Sequence, residues 1–557
     1  MTNKRTDRPT LSKFDFKSAI NKANNALLTC KAGLQQLDHV QPFGSNLRNL
    51  SHVDAANSLV VNRFVSKMYD PEVNNSGLRD AAFAAYISYE ETHLKTVSNR
   101  FNLWESSSVG LHVRKARALL HRWFSDFEVD LQNDPLEFTS GESFISQSGD
   151  TLLLAKLSNR EHWTTTEACL PDTLRLIYGC VSLKRAAKEL IGHVSRRERI
   201  ELYALAHKQG YESEPGFYVF SILLQERLLI VVDGARGSTV PKNVEKDRFI
   251  NVEATFPMIL QRLVARGIKK VLRKCGNFLS PIDKLDPQAL HGLLISRSSM
   301  ATIDFSNASD SVLLRVVKAL FPPNFLRYVC NYRSQAVQLG SKWVEPLKLS
   351  SMGNGFTFET MTAMLYAICC TYDRSTSRVY GDDVIIPNSC ANAFIKTCSY
   401  IGFETNLKKT FVNSKFRESC GKFYHDDFGY LLSYDIHPCK SFQDVIINHN
   451  KLYDIIHHGN VDYIVKSHLL RCMKEIRQAA RASHIGPVPL SETLRKKNLS
   501  LYMWDRNARR KQLANSHCRA NYALLVDKSK SFVADMQWDI SSYCVCTIPF
   551  YVSRLSK

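Results

Sequence analysis

Apolar positions recur at helical spacings through much of the first 220 residues, between polar breaks such as Asn74-Asn75-Ser76-Gly77 and Ser148-Gly149-Asp150. This predicts a mixed, mostly helical region with helices over Ala116–Phe124 and Leu183–Ile191. Ile222–Leu224 and Leu228–Val232 are short apolar runs and read as strands. Gly234–Ile250 is basic and punctuated by Gly and Pro, with a solvated loop as its bland alternative. Farther on, Ala301-Thr302-Ile303 reads as a short buried strand that ends in Asp304. Apolar residues at 312, 313, 316, 317 and 320 predict a helix, with Ser309 and Asp310 as N-cap residues. Ser350–Thr357 is a glycine-containing loop that feeds a helix over Phe358–Ile368. Ser377-Arg378-Val379 and Val384-Ile385-Ile386 flank Tyr380-Gly381-Asp382-Asp383, the pattern of a β-hairpin with both acids at its tip. Helices follow within 445–485. Leu452, Ile455, Ile456, Val461, Ile464, Val465, Leu469 and Leu470 supply their apolar faces, and Arg471, Lys474, Arg477 and Arg481 share a basic one.

A chain of 557 residues is too long for one core and implies several subdomains. Its apolar content of 44% is enough to build them. The formal charge of +20, with a surplus of Lys and Arg after residue 440, favours a polyanionic partner over a merely solvated basic surface. No apolar run is long enough to predict a transmembrane helix, and the charged N-terminus has no apolar stretch behind it to form a signal peptide. The 15 cysteines show no Cys-x-x-Cys spacing, and Cys544-Val545-Cys546 is too little for a zinc site. They read as reduced thiols of a cytosolic protein. Met503, Trp504, Trp538, Tyr543, Phe550 and Tyr551 place large apolar side chains in the basic C-terminal region, suited either to stacking on bases or to a core.

The acids change the picture most. Asp382 and Asp383 bring two carboxylates together at a turn. Asp304, at the end of an apolar strand, costs free energy unless it pairs or binds a metal. Such a set suits a magnesium-dependent phosphoryl-transfer site. The Gly353 and Gly355 loop presents N–H groups at a helix N-terminus, which suits a phosphate or a nucleic-acid backbone. Lys242, Lys246 and Arg248 are cations that suit an incoming triphosphate.

The order Asp304…Asp310, Ser351-Met352-Gly353-Asn354-Gly355, Gly381-Asp382-Asp383, Thr405-Asn406-Leu407-Lys408-Lys409-Thr410-Phe411 and Phe416-Arg417-Glu418-Ser419-Cys420-Gly421-Lys422 resembles motifs A to E of a viral RNA-directed RNA polymerase. Gly234–Ile250 resembles motif F. The wording of the glycine loop and of the last segment is similar to the replicase β subunits of the Qβ-like single-stranded RNA bacteriophages, the leviviruses. That likeness is strong from about Thr239 to Tyr424. It implies an α+β, right-hand polymerase. Residues 1–238 would be the N-terminal region and fingers, and 239–297 motif F and its connection to the palm. Residues 298–440 would be the palm, an antiparallel sheet packed on helices with a short fingers insertion near 325–347, and 441–557 the thumb and C-terminal region.

The same resemblance implies two Mg2+ ions on Asp304, Asp382 and Asp383, with Mn2+ or Ca2+ as substitutes in binding. It places Lys242, Lys246, Arg248, Ser351 and Gly353 around the nucleotide. Asp310 would orient Asn354 so that both read the ribose 2′-hydroxyl, and Lys408 or Lys409 would be a general acid. The second Asp of motif A follows at six positions instead of five, which leaves its direction open. The implied partners are single-stranded RNA template and product, nucleoside triphosphates, host elongation factors Tu and Ts and an RNA-binding ribosomal protein. The implied setting is the bacterial cytoplasm without membrane, with primer-independent initiation. Three alternatives stay open: a reverse transcriptase, although that class resembles Tyr-x-Asp-Asp with an aromatic residue where Ser309-Asp310 stands; a non-catalytic RNA-binding protein; and a nucleotidyltransferase that needs no template.

Overall fold

The computed structural model describes residues 16–41, 47–69, 76–131, 136–137, 142–145, 153–277 and 287–481. Asn74, Asn75, the break at 148–150, the aromatic residues from 503 onward, Cys544 and Cys546 lie outside them. Ser76 and Gly77, expected in a loop, instead open a helix, Ser76–Tyr89.

The chain forms two compact units, Met1–Asn74 with Leu431–Lys557, and Asn75–Tyr430. The first and last parts of the sequence therefore share one core, a grouping that the linear boundaries 1–238 and 441–557 do not follow. In this unit the helices Phe16–Gln35, His52–Lys67, Phe442–His458 and Tyr463–Arg481 bury Leu27, Phe64, Val445, Leu452, Val465 and Leu469 among themselves. Ser441 and Asp444 form a reciprocal capping box that fixes where the third of these helices starts. The basic face is only partly free. Arg471 pairs with Glu475 at 3.2 Å, and Arg477 bonds His449 Nε2 at 3.2 Å. Lys474 is exposed, and the Arg481 side chain lies outside the described residues.

The second unit is a mixed helix and sheet structure. Around the site its strands, in chain order, are β1 (Gly234–Pro241), β2 (Asp247–Val252), β3 (Met300–Ile303), β4 (Ala336–Leu339), β5 (Lys342–Val344), β6 (Arg378–Tyr380), β7 (Asp383–Pro387), β8 (Phe416–Ser419) and β9 (Lys422–His425). One sheet runs β2-β1-β4-β5 and another β3-β7-β6. In the latter, all four residues of β3 and Val384, Ile385 and Ile386 of β7 are buried. Strands covered on both faces read as continuous apolar runs, which is why these two were legible. The Thr357–Cys369 helix is buried on nearly every side and contacts β6 and the Thr255–Lys274 helix.

Two local expectations are corrected. Ile222–Leu224 belongs to a helix, Pro215–Arg227. Its apolar run from Phe217 to Leu224 has almost no polar interruption, so periodicity alone could not tell strand from buried helix. Gly234–Ile250 forms the β1–β2 hairpin, which sets aside the alternative of a solvated loop; Asn243 Oδ1 accepts the N–H groups of Glu245 and Lys246 and closes its turn. Ser309 and Asp310 do not cap a helix. They lie in a 3-10 turn, Ala308–Ser311, after Asn307 in left-handed conformation, and the helix itself is Leu314–Leu320.

Candidate active site

The site is built where β3 ends and the β6–β7 hairpin turns. The antiparallel register pairs Val384 with Ile303, so Asp383 and Asp304 come next to each other. Gly381 has φ +64° at the first turn position, as a type II′ hairpin requires. Its N–H donates to Thr362 Oγ1 at 2.9 Å, and a Cβ there would lie 2.2 Å from the Phe358 ring. The turn is thus seated on the Thr357–Cys369 helix. Asp382 occupies the turn. Asp383 does not share that exposed tip as expected; it begins β7 opposite Tyr380 and accepts the Cys420 N–H. Cys420 and Gly421 both have positive φ, 51° and 70°, in the turn between β8 and β9. Cysteine rarely adopts that conformation, and here it aims the Cys420 N–H at the acid.

Asp304 is only 17% exposed at its side chain. Its Oδ1 accepts from Asn406 Nδ2 at 2.8 Å, and its Oδ2 is 3.7 Å from Lys409 Nζ. Lys409 also lies 3.8 Å from Glu418. Burial and then the Asp382 charge push the Asp383 carboxyl up to about 7. Burial and then Asp304 push Asp382 up as well. Lys409 is held above the usual lysine range, first by Glu418 and then by Asp304, Asp383 and Asp382. Among the described residues no three His, Cys, Asp or Glu side chains are close enough to enclose a metal ion. The donor set nevertheless fits one. It is all carboxylate oxygen, the choice of a hard divalent cation, and its mutual repulsion is what such a cation relieves.

Cations reach the acids from the β1–β2 hairpin. Arg248 lies near enough to Asp382 to favour its ionised form. The Lys242 residue is exposed along much of its length, yet its ammonium loses hydration, and that loss with repulsion from Arg248 and Lys409 pushes its pKa down. Lys246 is exposed in the hairpin turn. Lys408 is exposed as well, so of the two candidate lysines only Lys409 faces the acids.

The glycine loop differs from expectation. Gly353 has φ +104°, and a Cβ there would lie 2.1 Å from the Asn251 carbonyl oxygen. Asn251 N–H donates to the Met352 carbonyl at 2.7 Å, which locks the loop against β2. The Gly355 N–H is taken by Gln261 Oε1 at 2.9 Å and the Phe356 N–H by Asn354 Oδ1 at 3.1 Å, so neither is free for a phosphate. Replacing Gly353 by Ala is expected to cost about 2 kcal/mol or more, because it combines a forbidden φ with a backbone clash. A urea midpoint unchanged from wild type would show that the loop is not held this way.

Asn354 is 8% exposed, and its Nδ2 lies 3.4 Å from Glu253 Oε1. Glu253, whose carboxyl is pushed up by burial, also accepts from Ser334 Oγ and Gln261 Nε2. Asp310 instead accepts from Lys348 Nζ at 2.8 Å. Lys348 is fully buried, 3.2 Å from Glu90, and sits 3.8 Å over the Tyr86 ring. Asp310 and Asn354 thus have separate partners, and the expected orientation of one by the other is not present. Ser351 is buried as well, and its hydroxyl faces that of Tyr86.

A family model described as RNA replicase, beta-chain, matches residues 73–481. The chain belongs to this family. It is 36% identical over 225 residues to the RNA-directed RNA polymerase subunit beta of Qbeta virus (strain MX1), covering 39% of this chain and 38% of that protein. It is 36% identical over 196 residues to the RNA-directed RNA polymerase beta chain of Escherichia phage MS2, covering 34% of this chain and 35% of that protein. The chain therefore spans less than two fifths of the length of these relatives in the matched region. The RNA-dependent RNA polymerase of a human picorbirnavirus is similar with TM-score 0.30 and 13% identity, covering 43% of this chain and 55% of that one, too slight a likeness to add to the family assignment.

Every motif that carried the resemblance lies inside the span matched by the RNA replicase β-chain family. What the motifs did not flag are the partners of their residues: Asn406 on Asp304, Glu418 on Lys409, Lys348 and Glu90 on Asp310, and Glu253 on Asn354. Lys348 did leave a signal. It stands alone between Leu347 and Leu349 in an apolar stretch, where an unpaired charge is not tolerated.

Proposed function

We propose that the chain is an RNA-directed RNA polymerase that copies a viral single-stranded RNA. The observation that carries this reading is the meeting of Asp304, Asp382 and Asp383 at one strand end and one turn, faced by Lys409, Arg248 and Lys242. In the right-hand layout, the β3-β7-β6 sheet and the Thr357–Cys369 helix would be palm. The β1–β2 hairpin with β4 and β5 would belong to the fingers, and the helices after 440 to the thumb. Single-stranded RNA and nucleoside triphosphates are the partners. Host elongation factors Tu and Ts and a ribosomal protein would complete the enzyme in the bacterial cytoplasm. Among the described residues no helix is long and apolar enough to cross a membrane.

Asp304, Asp382 and Asp383 would hold two Mg2+ ions, which when bound supply charge neutralisation at the attacking hydroxyl and the leaving pyrophosphate. Arg248 and Lys242 hold the triphosphate in line, and donors placed where charge develops are worth most in a site short of water. Lys409 carries the proton for the leaving pyrophosphate. Asn406 fixes the Asp304 carboxylate so that it need not reorganise. Asp310, held by Lys348, reads the 2′-hydroxyl, while Asn354 and Gly353 keep the adjoining loop in place.

The reading is tested with the purified chain, an RNA of defined sequence and labelled triphosphates. Products should follow the template, need divalent cation and contain ribonucleotides. Untemplated or exclusively deoxy products would reject it. For the lysines, Lys409→Met is expected to slow single-turnover addition about a hundredfold, the usual worth of a general acid. Lys408→Met should leave the rate within threefold. Lys409→Arg keeps the charge but not a transferable proton; full activity in that variant would reduce Lys409 to an electrostatic role.

A further inference from the structure

A second cluster of cations lies away from the acids, around a cavity of about 460 Å3 lined by Arg122, Trp123, Asp126, Lys274, Cys275 and Arg374, among others. Arg122, Lys274 and Arg374 are exposed at its walls. None of the three side chains makes a hydrogen bond or ion pair among the described residues; at Arg122 only the backbone carbonyl is taken, by the Ser125 hydroxyl at 3.3 Å. This is not the rule for the Thr255–Lys274 helix that contributes Lys274. Earlier on it, Arg262 and Arg266 both pair with Glu137, and Lys269 lies 3.2 Å from Glu359. Among the described residues Asp126 is the one acid lining the cavity, which leaves an excess of two positive charges. Burial pushes the Cys275 thiol up, and all three cations lie near enough to oppose that rise.

The walls are firm. Trp123 stacks on Tyr366 with centroids 5.6 Å apart and planes 24° apart, and the Tyr366 hydroxyl donates to the Cys275 carbonyl at 3.3 Å. Two residues on, the Asn277 side chain clamps Val379 of β6 through both its N–H and its carbonyl, at 2.9 and 2.8 Å. The Thr357–Cys369 helix joins the two sites. Near its start Phe358 touches the acid turn, and in its last turn Tyr366 touches the cavity. Phe358 and Tyr366 are about 12 Å apart along this helix at 1.5 Å per residue, so the cavity and the acid turn are separate places on it.

We propose that this cavity is a second binding site for single-stranded RNA, seating a phosphodiester between Arg122, Arg374 and Lys274 and a base against Trp123. Two guanidinium groups match phosphate oxygens in a way that lysines alone do not. An indole beside a cationic groove is a sequence-tolerant platform for a base. The polymerase reading enters only in the choice of RNA as the polyanion.

Binding is measured on the full chain without nucleotides or divalent cations, so failure here is separate from failure of the polymerase reading. Two RNAs are compared: one long, and one that fills only the site at the acids. The Arg122→Gln/Arg374→Gln variant should bind the long RNA about tenfold more weakly. The slope of log affinity against log salt should fall by about 0.7, the loss of one phosphate contact on a single strand. Affinity for the short RNA, and nucleotide addition on it, should not change. Trp123→Leu should weaken the long RNA without changing the slope. Three results would overturn the proposal: an unchanged long-RNA affinity and slope, equal losses for both RNAs, or the same loss from Arg185→Gln/Arg197→Gln, two exposed cations outside the cavity. A triphosphate that displaces the long RNA from wild type but not from the variant would make the cavity a mononucleotide site and reject the RNA strand.

Discussion

Asp382→Asn is expected to slow nucleotide addition at least about a thousandfold, near 4 kcal/mol of transition-state stabilisation. Asparagine fills the same space in the turn between Tyr380 and Asp383, so the hairpin register and the Gly381 contacts with Thr362 and Phe358 stay as they are. What is lost is one of three charges that would hold the divalent cations. RNA affinity, which rests on cations elsewhere, should change little. Activity within tenfold of wild type would remove Asp382 from the reacting centre.

The same variant carries a signature in stability. Asp383 is pushed up to about 7 by burial and by Asp382, above the usual carboxylate value near 4. A carboxyl whose pKa is higher folded than unfolded binds its proton more tightly when folded. Stability is therefore full below about 4 and is lost as pH rises through about 7. Removing the Asp382 charge relieves Asp383. In a chelating buffer, the melting temperature of wild type should fall more steeply between pH 4 and 7 than that of Asp382→Asn. Parallel curves would mean the two carboxylates do not repel each other as their placement requires. Such repulsion is the expected cost of a site that would hold cations.

How much of this was legible in the sequence depends on the range of the interaction. β3, β7 and the Thr357–Cys369 helix could be read because continuous burial leaves continuous apolar runs, and the Gly381-Asp382 turn because glycine marks a positive φ. The Pro215–Arg227 helix was misread in part, at Ile222–Leu224, for the same reason in reverse, since burial on all sides erases periodicity. The β1–β2 hairpin was hidden because its strands carry Gly, Arg, Ser and Thr, and β1 is fixed by pairing with β4, where Gly234 meets Ala336. Asp310 and Asn354 were joined by motif logic alone. Their actual partners, Lys348 and Glu253, come from segments with no motif, and a pairing that depends on a third segment is not written in either residue's neighbourhood.

Lys348→Met is expected to cost about 3–5 kcal/mol, the penalty of leaving buried charges without their counter-ion. Lys348 has no side-chain exposure, and the two carboxylates on it are unequal: Glu90 is 9% exposed and Asp310 28%. Glu90 also accepts the Leu347 N–H at 2.8 Å, so it cannot easily turn to water when Lys348 is gone. Methionine keeps the unbranched stem and its packing over Tyr86, which confines the change to charge. Adding Glu90→Gln and Asp310→Asn to Lys348→Met should restore a large part of the loss, because a neutral trio needs no counter-ion. Sugar choice separates the trio from the glycine loop. Asp310→Asn should lower discrimination against deoxynucleotides about ten- to a hundredfold, since a site built to bond a hydroxyl penalises its absence. Asn354→Ala, which takes the donor from Glu253 Oε1 and frees the Phe356 N–H, should slow both sugars alike. Denaturant midpoints and matched ribo- and deoxynucleotide kinetics measure both effects. A loss below about 1 kcal/mol for Lys348→Met would show that Asp310 is held by something other than the buried lysine.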